Sequence, residues 1–207
     1  MPITVGIIDF GTGNLRSVYN AVNAIGAEAH FVLGPEEVSR FDKLILPGVG
    51  AFGDAIARLT ATGLADALNE QKEAGKSILG LCLGMQLMCQ KSEEGGIFFG
   101  LGWFNAEVKR FPDQLNVKVP HIGWNNLCFV REHALFKGLG QSPDVYFVHS
   151  FRAVCENETD VLAWCDYGEP FAAVICKQSV CGFQFHPEKS QRVGLSMLKN
   201  FIEDEIC

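Results

Sequence analysis

With 207 residues, 48% of them hydrophobic, the chain has enough apolar material to build one large α/β domain without help from disulfides. Lys plus Arg number 17 against 24 Asp plus Glu, and the resulting net charge of -7 argues against a nucleic-acid partner. No apolar stretch approaches bilayer-spanning length and no signal-peptide pattern opens the chain, so no membrane role and a cytoplasmic location are expected, with the eight cysteines as reduced thiols.

The predicted elements begin as alternating strands and helices. Ile3 to Phe10 is an apolar run of the kind buried on both faces of a parallel sheet. Gly11-Thr12-Gly13-Asn14 turns the chain into a helix from Leu15 to about Ile25. Arg16 stands where a dinucleotide fingerprint has its third glycine, so the turn reads as a strand–helix connection or as a loop that meets a partner. Ala29 to Leu33 and Lys43 to Leu46 are the next strands. The loop Pro47 to Gly53 is rich in glycine and could turn backbone N–H groups toward an anion. Helices are expected over Asp54 to Leu59 and Leu64 to Ala74, with Gly75 as the cap.

The stretch Lys76 to Cys89 organises the rest. Ser77 to Leu81 reads as a buried strand, and it runs into Gly80-Leu81-Cys82-Leu83-Gly84 and then the start of a helix. Strand, sharp turn, nucleophile and helix define a nucleophile elbow, here with cysteine in place of serine. The flanking glycines leave room for a turn in which Cβ groups would collide with strand and helix. Cys82 would sit at a helix N-terminus, where the macrodipole favours a thiolate. The competing reading is a buried cysteine acting as a small apolar filler.

After Gln90 the pattern changes to short strands: Ala106 to Arg110, Leu115 to Val119, Val145 to Phe151, Val161 to Cys165, Phe171 to Cys176 and Val180 to Phe185. These predict antiparallel strands added to the edge of a mainly parallel sheet, closed by a helix from Gly194 to about Ile202. No linker or repeat divides the chain, and one domain over 1–207 is expected.

A cysteine nucleophile needs a base. Among His30, His121, His133, His149 and His186, the last is the strongest candidate, because it ends a strand and is followed by Pro187 and Glu188. Proline holds the preceding residue extended, and side chains two apart in an extended chain point the same way, so Glu188 can orient the imidazole. The backbone N–H groups of Leu83 and of the Gly48 to Gly50 loop could meet a developing oxyanion.

Gly80 to Gln86, Pro47 to Gly50 and Gly182 to Glu188 resemble the motifs of the triad, or class I, glutamine amidotransferases. Asp9 to Leu15, Pro47 to Phe52, Pro120 to Asn125, Tyr146 to Phe151 and Lys189-Ser190 narrow the resemblance to the glutaminase subunits of imidazole glycerol phosphate synthases. The marks span residues 9 to 190, and the departures at Phe10, Phe151 and Phe183 touch no proposed catalytic group. The resemblance implies a class I amidotransferase fold, a central mostly parallel sheet with helices on both faces and antiparallel edge strands. It implies Cys82, His186 and Glu188 as the triad and Leu83 and Gly50 as the oxyanion hole. It gives Gly48, Gly84, Gln86, His149, Ser150 and Phe151 to L-glutamine. Asn14, Pro120, His121, Gly123, Trp124, Asn125 and Lys189 would lie toward a partner, and no cofactor or metal is expected.

The implied partner is a (β/α)8 cyclase that receives the ammonia and converts the phosphoribulosyl intermediate PRFAR to imidazole glycerol phosphate and AICAR in histidine biosynthesis, the two forming a heterodimer. Other readings are a glutaminase serving another synthase, a cysteine hydrolase acting without a partner, and an inactive scaffold. The intact Cys82, His186 and Glu188 argue against the last. Taken without the resemblance, Trp103 and Trp124 fit an interface or a loop core equally well, and Cys89, Cys128 and Cys207 are expected to be inert.

Overall fold

The structure, a computed structural model, describes residues 2–11 and 13–205. Thr12 of the first turn and Cys207 lie outside the described residues. The first half of the chain forms β1 (Thr4–Ile8), α1 (Leu15–Ala24), β2 (Glu28–Val32), β3 (Lys43–Gly48), α2 (Phe52–Ala61), α3 (Leu64–Glu73), β4 (Ser77–Cys82) and α4 (Leu83–Leu87). Strands dominate the second half: β5 (Cys89–Ser92), β6 (Phe98–Phe99), β7 (Phe104–Arg110), β8 (His121–Asn126), β9 (Cys128–Phe129), β10 (Asp144–His149), β11 (Phe151–Cys155), β12 (Val161–Asp166), β13 (Pro170–Lys177) and β14 (Val180–Phe183). The helix α5 (Gln191–Glu203) follows.

The main sheet has eight strands in the order β2-β1-β3-β4-β14-β13-β12-β9. Pairing is parallel from β2 through β14 and antiparallel beyond it. Strand periodicity sorts the core into two layers. In β3, Ile45 packs with Val18 and Val22 of α1 and Leu198 and Phe201 of α5. Its neighbours Leu44 and Leu46 pack instead with Phe52 and Leu59 of α2 and Leu64 and Leu68 of α3. A strand flanked by apolar side chains on both faces needs helices on both, which is why its sequence is a continuous apolar run.

Several expectations are corrected. Leu115–Val119 is not a strand: Asp113–Leu115 is a 3-10 turn and Asn116 adopts a left-handed φ of 51°. The expected strand from Val145 to Phe151 is two strands in different sheets, His149 pairing with His121 and Phe151 with Arg110. The later strands therefore do not all extend one edge. They also build a β10–β8 pair and a second sheet in the order β11-β7-β5-β6. Between β2 and β3 the chain turns at Gly34 into a 3-10 segment, Pro35–Arg40, in keeping with its Gly-Pro-Glu-Glu sequence. The expected elbow helix is the single turn α4, too short to sum to an appreciable macrodipole. Trp103 belongs to the core, 6% exposed, with its indole N–H donating to Asn69 at 2.7 Å.

Candidate active site

Sheet register brings the chemistry to one rim. Gly48 of β3 lies opposite Cys82 of β4, and Leu81 of β4 lies opposite Phe183 of β14. The carboxyl ends of three adjacent parallel strands thus open side by side, where ligands bind in open α/β sheets.

Cys82 has φ 51° and ψ -107°, outside the regions a side chain favours. Such a backbone costs on the order of 1–3 kcal/mol and persists only where its surroundings fix it. The glycines do that. A Cβ at Gly80 would lie 2.6 Å from the Met85 nitrogen and 2.8 Å from the Gly84 oxygen. The elbow closes only because those positions carry no side chain. The Cys82 sulfur is 3.7 Å from Gln184 Nε2 and 3.9 Å from the Val148 carbonyl oxygen.

His186 is extended, φ -97° and ψ 98°, and its N–H donates to the Tyr146 carbonyl at 3.0 Å. The Ser190 hydroxyl donates to the His186 carbonyl at 2.6 Å. Glu188 approaches by a route the sequence reading did not give. Pro187–Lys189 is a 3-10 turn, not extended chain, and it folds the carboxylate back to 2.9 Å from Nδ1. The two side chains are 5% and 2% exposed. The turn is braced from behind, where a Cβ on Gly194 of α5 would fall 2.0 Å from the Pro187 oxygen.

Burial would lower the His186 pKa, but the Cys82 thiol and the Glu188 carboxylate outweigh it and hold the imidazole up at about 9. Its Nε2 is buried and makes no hydrogen bond of good geometry among the described residues, although Cys82 is close enough to act on its charge. Nε2 is therefore the open side of a ring whose other nitrogen is committed to Glu188. Cys82 and His186 line one cavity of about 280 Å³, together with Val49, Gly50, Leu83 and Gln86. Gly50 has a φ of 105° and Val49 is 42% exposed, so this wall of the cavity is a bare glycine-rich loop.

The remaining expected residues divide. Ser150 and Phe151 line the cavity. Gly48 and Gly84 do not line it and instead pack the elbow from beneath. A Cβ on Gly48 would meet the Leu83 Cβ at 3.1 Å, and one on Gly84 the Leu46 oxygen at 1.7 Å. His149 borders the cavity, but both ring nitrogens are already taken, Nδ1 by the Phe151 carbonyl at 2.8 Å and Nε2 by His121 at 3.1 Å. His121 is 1% exposed and turns inward, because residues alternate faces along β8. It is not a surface residue. Pro120, Asn14 and Lys189 are exposed, as is Trp124 at 44%, while Gly123 and Asn125 are half-buried.

Two residues the sequence reading passed over belong here. Gln184 is fully buried and reaches the sulfur, and its two-residue spacing from His186 was the available signal. Glu94 lines the cavity and accepts from the Phe52 N–H at 2.8 Å, with no motif to mark it. Among the described residues no cysteine forms a disulfide, and burial raises the Cys89 thiol well above its ordinary value. Among the described residues no cluster suits a metal ion, and no helix is long and apolar enough to cross a membrane.

A strained elbow cysteine sharing a cavity with a carboxylate-paired histidine is equipped for acyl transfer through a thioester. The class I glutamine amidotransferase family model matches residues 6–204, and the chain belongs to that family. It is a glutaminase-type amidotransferase enzyme. It is 46% identical over 203 residues to "Imidazole glycerol phosphate synthase subunit HisH" of Wolinella succinogenes, covering 96% of this chain and 98% of that one. The subunit of the same name in Aquifex aeolicus is 49% identical over 196 residues, 94% of each chain. Among solved structures, one described as a glutamine amidotransferase superposes with a TM-score of 0.74 at 23% identity, over 96% of this chain and 97% of that one. The structure of PurLQS from Thermotoga maritima superposes at 0.76 and 18% identity, over 97% and 98%. These last two establish the fold.

Proposed function

We propose that this chain is the glutaminase subunit of an imidazole glycerol phosphate synthase, folded as one domain over 1–207. Cys82 attacks the side-chain amide carbon of L-glutamine. Backbone N–H groups of Leu83 and Gly50 receive the oxyanion. The imidazolium of His186 protonates the departing ammonia, and the same ring then activates water against the γ-glutamyl thioester, releasing glutamate. Glu188 keeps the ring oriented. Gln86, Ser150 and Phe151 hold the amino-acid end of the substrate, with Gly48 and Gly84 shaping the site from below. The observation that carries this reading is the buried 2.9 Å His186–Glu188 pair, whose second nitrogen opens onto the Cys82 cavity.

Ammonia freed into water would be protonated and lost as a nucleophile, so it passes directly to a partner. That the relatives are named as subunits of imidazole glycerol phosphate synthase supports a synthase partner, which on this reading is the cyclase that converts PRFAR to imidazole glycerol phosphate and AICAR. Asn14, Pro120, Gly123, Trp124, Asn125 and Lys189 form the face toward it. The Val49 peptide flips to complete the oxyanion hole when that partner is loaded, an idea consistent with the open Val49–Gly50 loop. In the reconstituted complex, Cys82→Ala abolishes the glutamine-dependent reaction and spares the ammonia-dependent one. Glutamine use surviving in that variant would refute the assignment. Equal glutaminase rates with and without the loaded partner would refute the flip.

A further inference from the structure

We infer that His121 is a positioning residue for the catalytic centre, acting through a hydrogen-bond chain that ends on the Cys82 sulfur. The proposal rests on Cys82 being the nucleophile of the reaction above. The chain is continuous. His121 Nδ1 meets His149 Nε2 at 3.1 Å, and His149 Nδ1 meets the Phe151 carbonyl at 2.8 Å. The same carbonyl accepts from Gln86 Nε2 at 2.9 Å. Gln86 Nε2 also donates to Gln184 Oε1 at 3.1 Å, and Gln184 Nε2 reaches the sulfur at 3.7 Å.

The protons along this chain are dictated by chemistry. A carbonyl only accepts, so His149 carries its proton on Nδ1. Burial drives the His149 pKa down to about 3, which keeps the ring neutral and leaves Nε2 bare. His121 must then donate from Nδ1. Burial lowers its pKa as well, with the Asn125 amide opposing, so its Nε2 is bare too, buried and without a hydrogen bond of good geometry among the described residues. One tautomer of His121 thus selects one tautomer of His149.

His121 is built to hold that orientation. Its ring stacks on Tyr167 at 3.9 Å between centroids and on Phe147 at 4.8 Å. Without the Nδ1–H, the bare nitrogen of His149 would be a buried acceptor with no donor. The ring could recover a partner only by changing tautomer, and that would turn a lone pair toward the Phe151 oxygen. The carbonyl that anchors Gln86 would lose its second donor, and the Gln86–Gln184 pair would lose its fixed aim at the sulfur.

Three variants of the full chain test this. His121→Phe keeps the stacked ring and removes the donor. His121→Asn places an amide N–H where Nδ1 stands. His121→Gln places it one bond farther, near the Nε2 position. In the complex, His121→Phe and His121→Gln are expected to lower glutamine kcat/KM by about tenfold, the scale of one net hydrogen bond. His121→Asn recovers it to within about threefold. Nitrogen-15 spectra of the ring should show the His149 Nδ1–H tautomer in wild type and His121→Asn, and a mixture in the other two. Iodoacetamide should alkylate Cys82 at rates that sort in the same way. Equal values for the Asn and Gln variants, or an unchanged His149 tautomer in His121→Phe, would overturn the proposal. If His121→Phe does not fold, the Asn–Gln comparison alone decides. The spectra and alkylation need no glutamine turnover, so a wild-type complex that ignores glutamine would sink the functional reading while these still judge the chain of bonds.

Discussion

A Cβ atom on Gly84 would lie 1.7 Å from the carbonyl oxygen of Leu46. The backbone of α4 therefore rests directly on the backbone of β3, and the elbow that carries Cys82 is clamped between two main chains. Neither side of that contact is a flexible side chain. Gly84→Ala should destabilise the protein by roughly 3 kcal/mol or more, at the top of the range for overpacking. A Cβ on Gly140 would meet none of the described residues within 4 Å, and Gly140→Ala should stay within about 0.5 kcal/mol of wild type. Paired urea denaturation measures both. A Gly84→Ala midpoint equal to that of Gly140→Ala would contradict the clamp.

The His186 pair makes a prediction about protons. With its folded pKa raised to about 9, the ring should be an imidazolium at neutral pH and titrate near 9 by nuclear magnetic resonance. Cys82 is the larger of the two groups that raise it and Glu188 the next, so both Cys82→Ala and Glu188→Gln should move the midpoint down. The stabilisation this ring contributes is complete below the ordinary imidazole value of about 6.5 and is lost as pH rises through about 9. A ring that titrates near 6.5 in wild type would contradict the arrangement.

His149 has the opposite sign. Its pKa is lowered to about 3 by burial, so between about 6.5 and 3 the unfolded chain binds a proton that the folded chain refuses. Stability should therefore fall as pH drops through that window, by no more than about 1.4 kcal/mol per pH unit from this group. His149→Asn should be less stable at neutral pH but show a shallower decline between pH 6.5 and 4. Parallel slopes for the two proteins would remove His149 from the account of acid sensitivity.

Ile122 and Trp124 project outward from β8, 59% and 44% exposed, while His121 on the same strand points inward. If this face meets the cyclase, Trp124→Ala should weaken association by about 2 kcal/mol, the scale of an aromatic hot spot, or some thirtyfold in Kd. The isolated chain should keep its thermal midpoint. Titration calorimetry with the partner subunit checks the first expectation and a melting curve the second. Unchanged affinity would move the interface elsewhere.

Local sequence carried a good deal of this. The apolar runs of β1, β3 and β4 are strands because only a segment buried on both faces tolerates such composition. The glycines around Cys82 announced the elbow because no other residue fits there. Pro187 restricted His186, and the acid two positions on was bound to be near it. Local sequence misleads where neighbours in space decide. Val145 to Phe151 looks like one strand, yet it changes sheets at Ser150 according to whether β8 or β7 lies alongside. Leu115–Val119 alternates like a strand but finds no strand to pair with and closes as a turn and loop.

Chain order and composition alone determined the parallel α/β core and the elbow, and marked Cys82, His186 and Glu188 as the candidates for chemistry. Those features follow from steric limits and burial patterns within a few residues. Tertiary structure decided what each residue faces. It turned His121 away from the surface and gave both nitrogens of His149 to internal partners. It also set Gly48 and Gly84 beneath the site and brought Gln184 to the sulfur, 102 positions along the chain from Cys82. A hydrogen bond depends on distance and direction between groups, and neither is fixed until strands far apart in sequence settle their register.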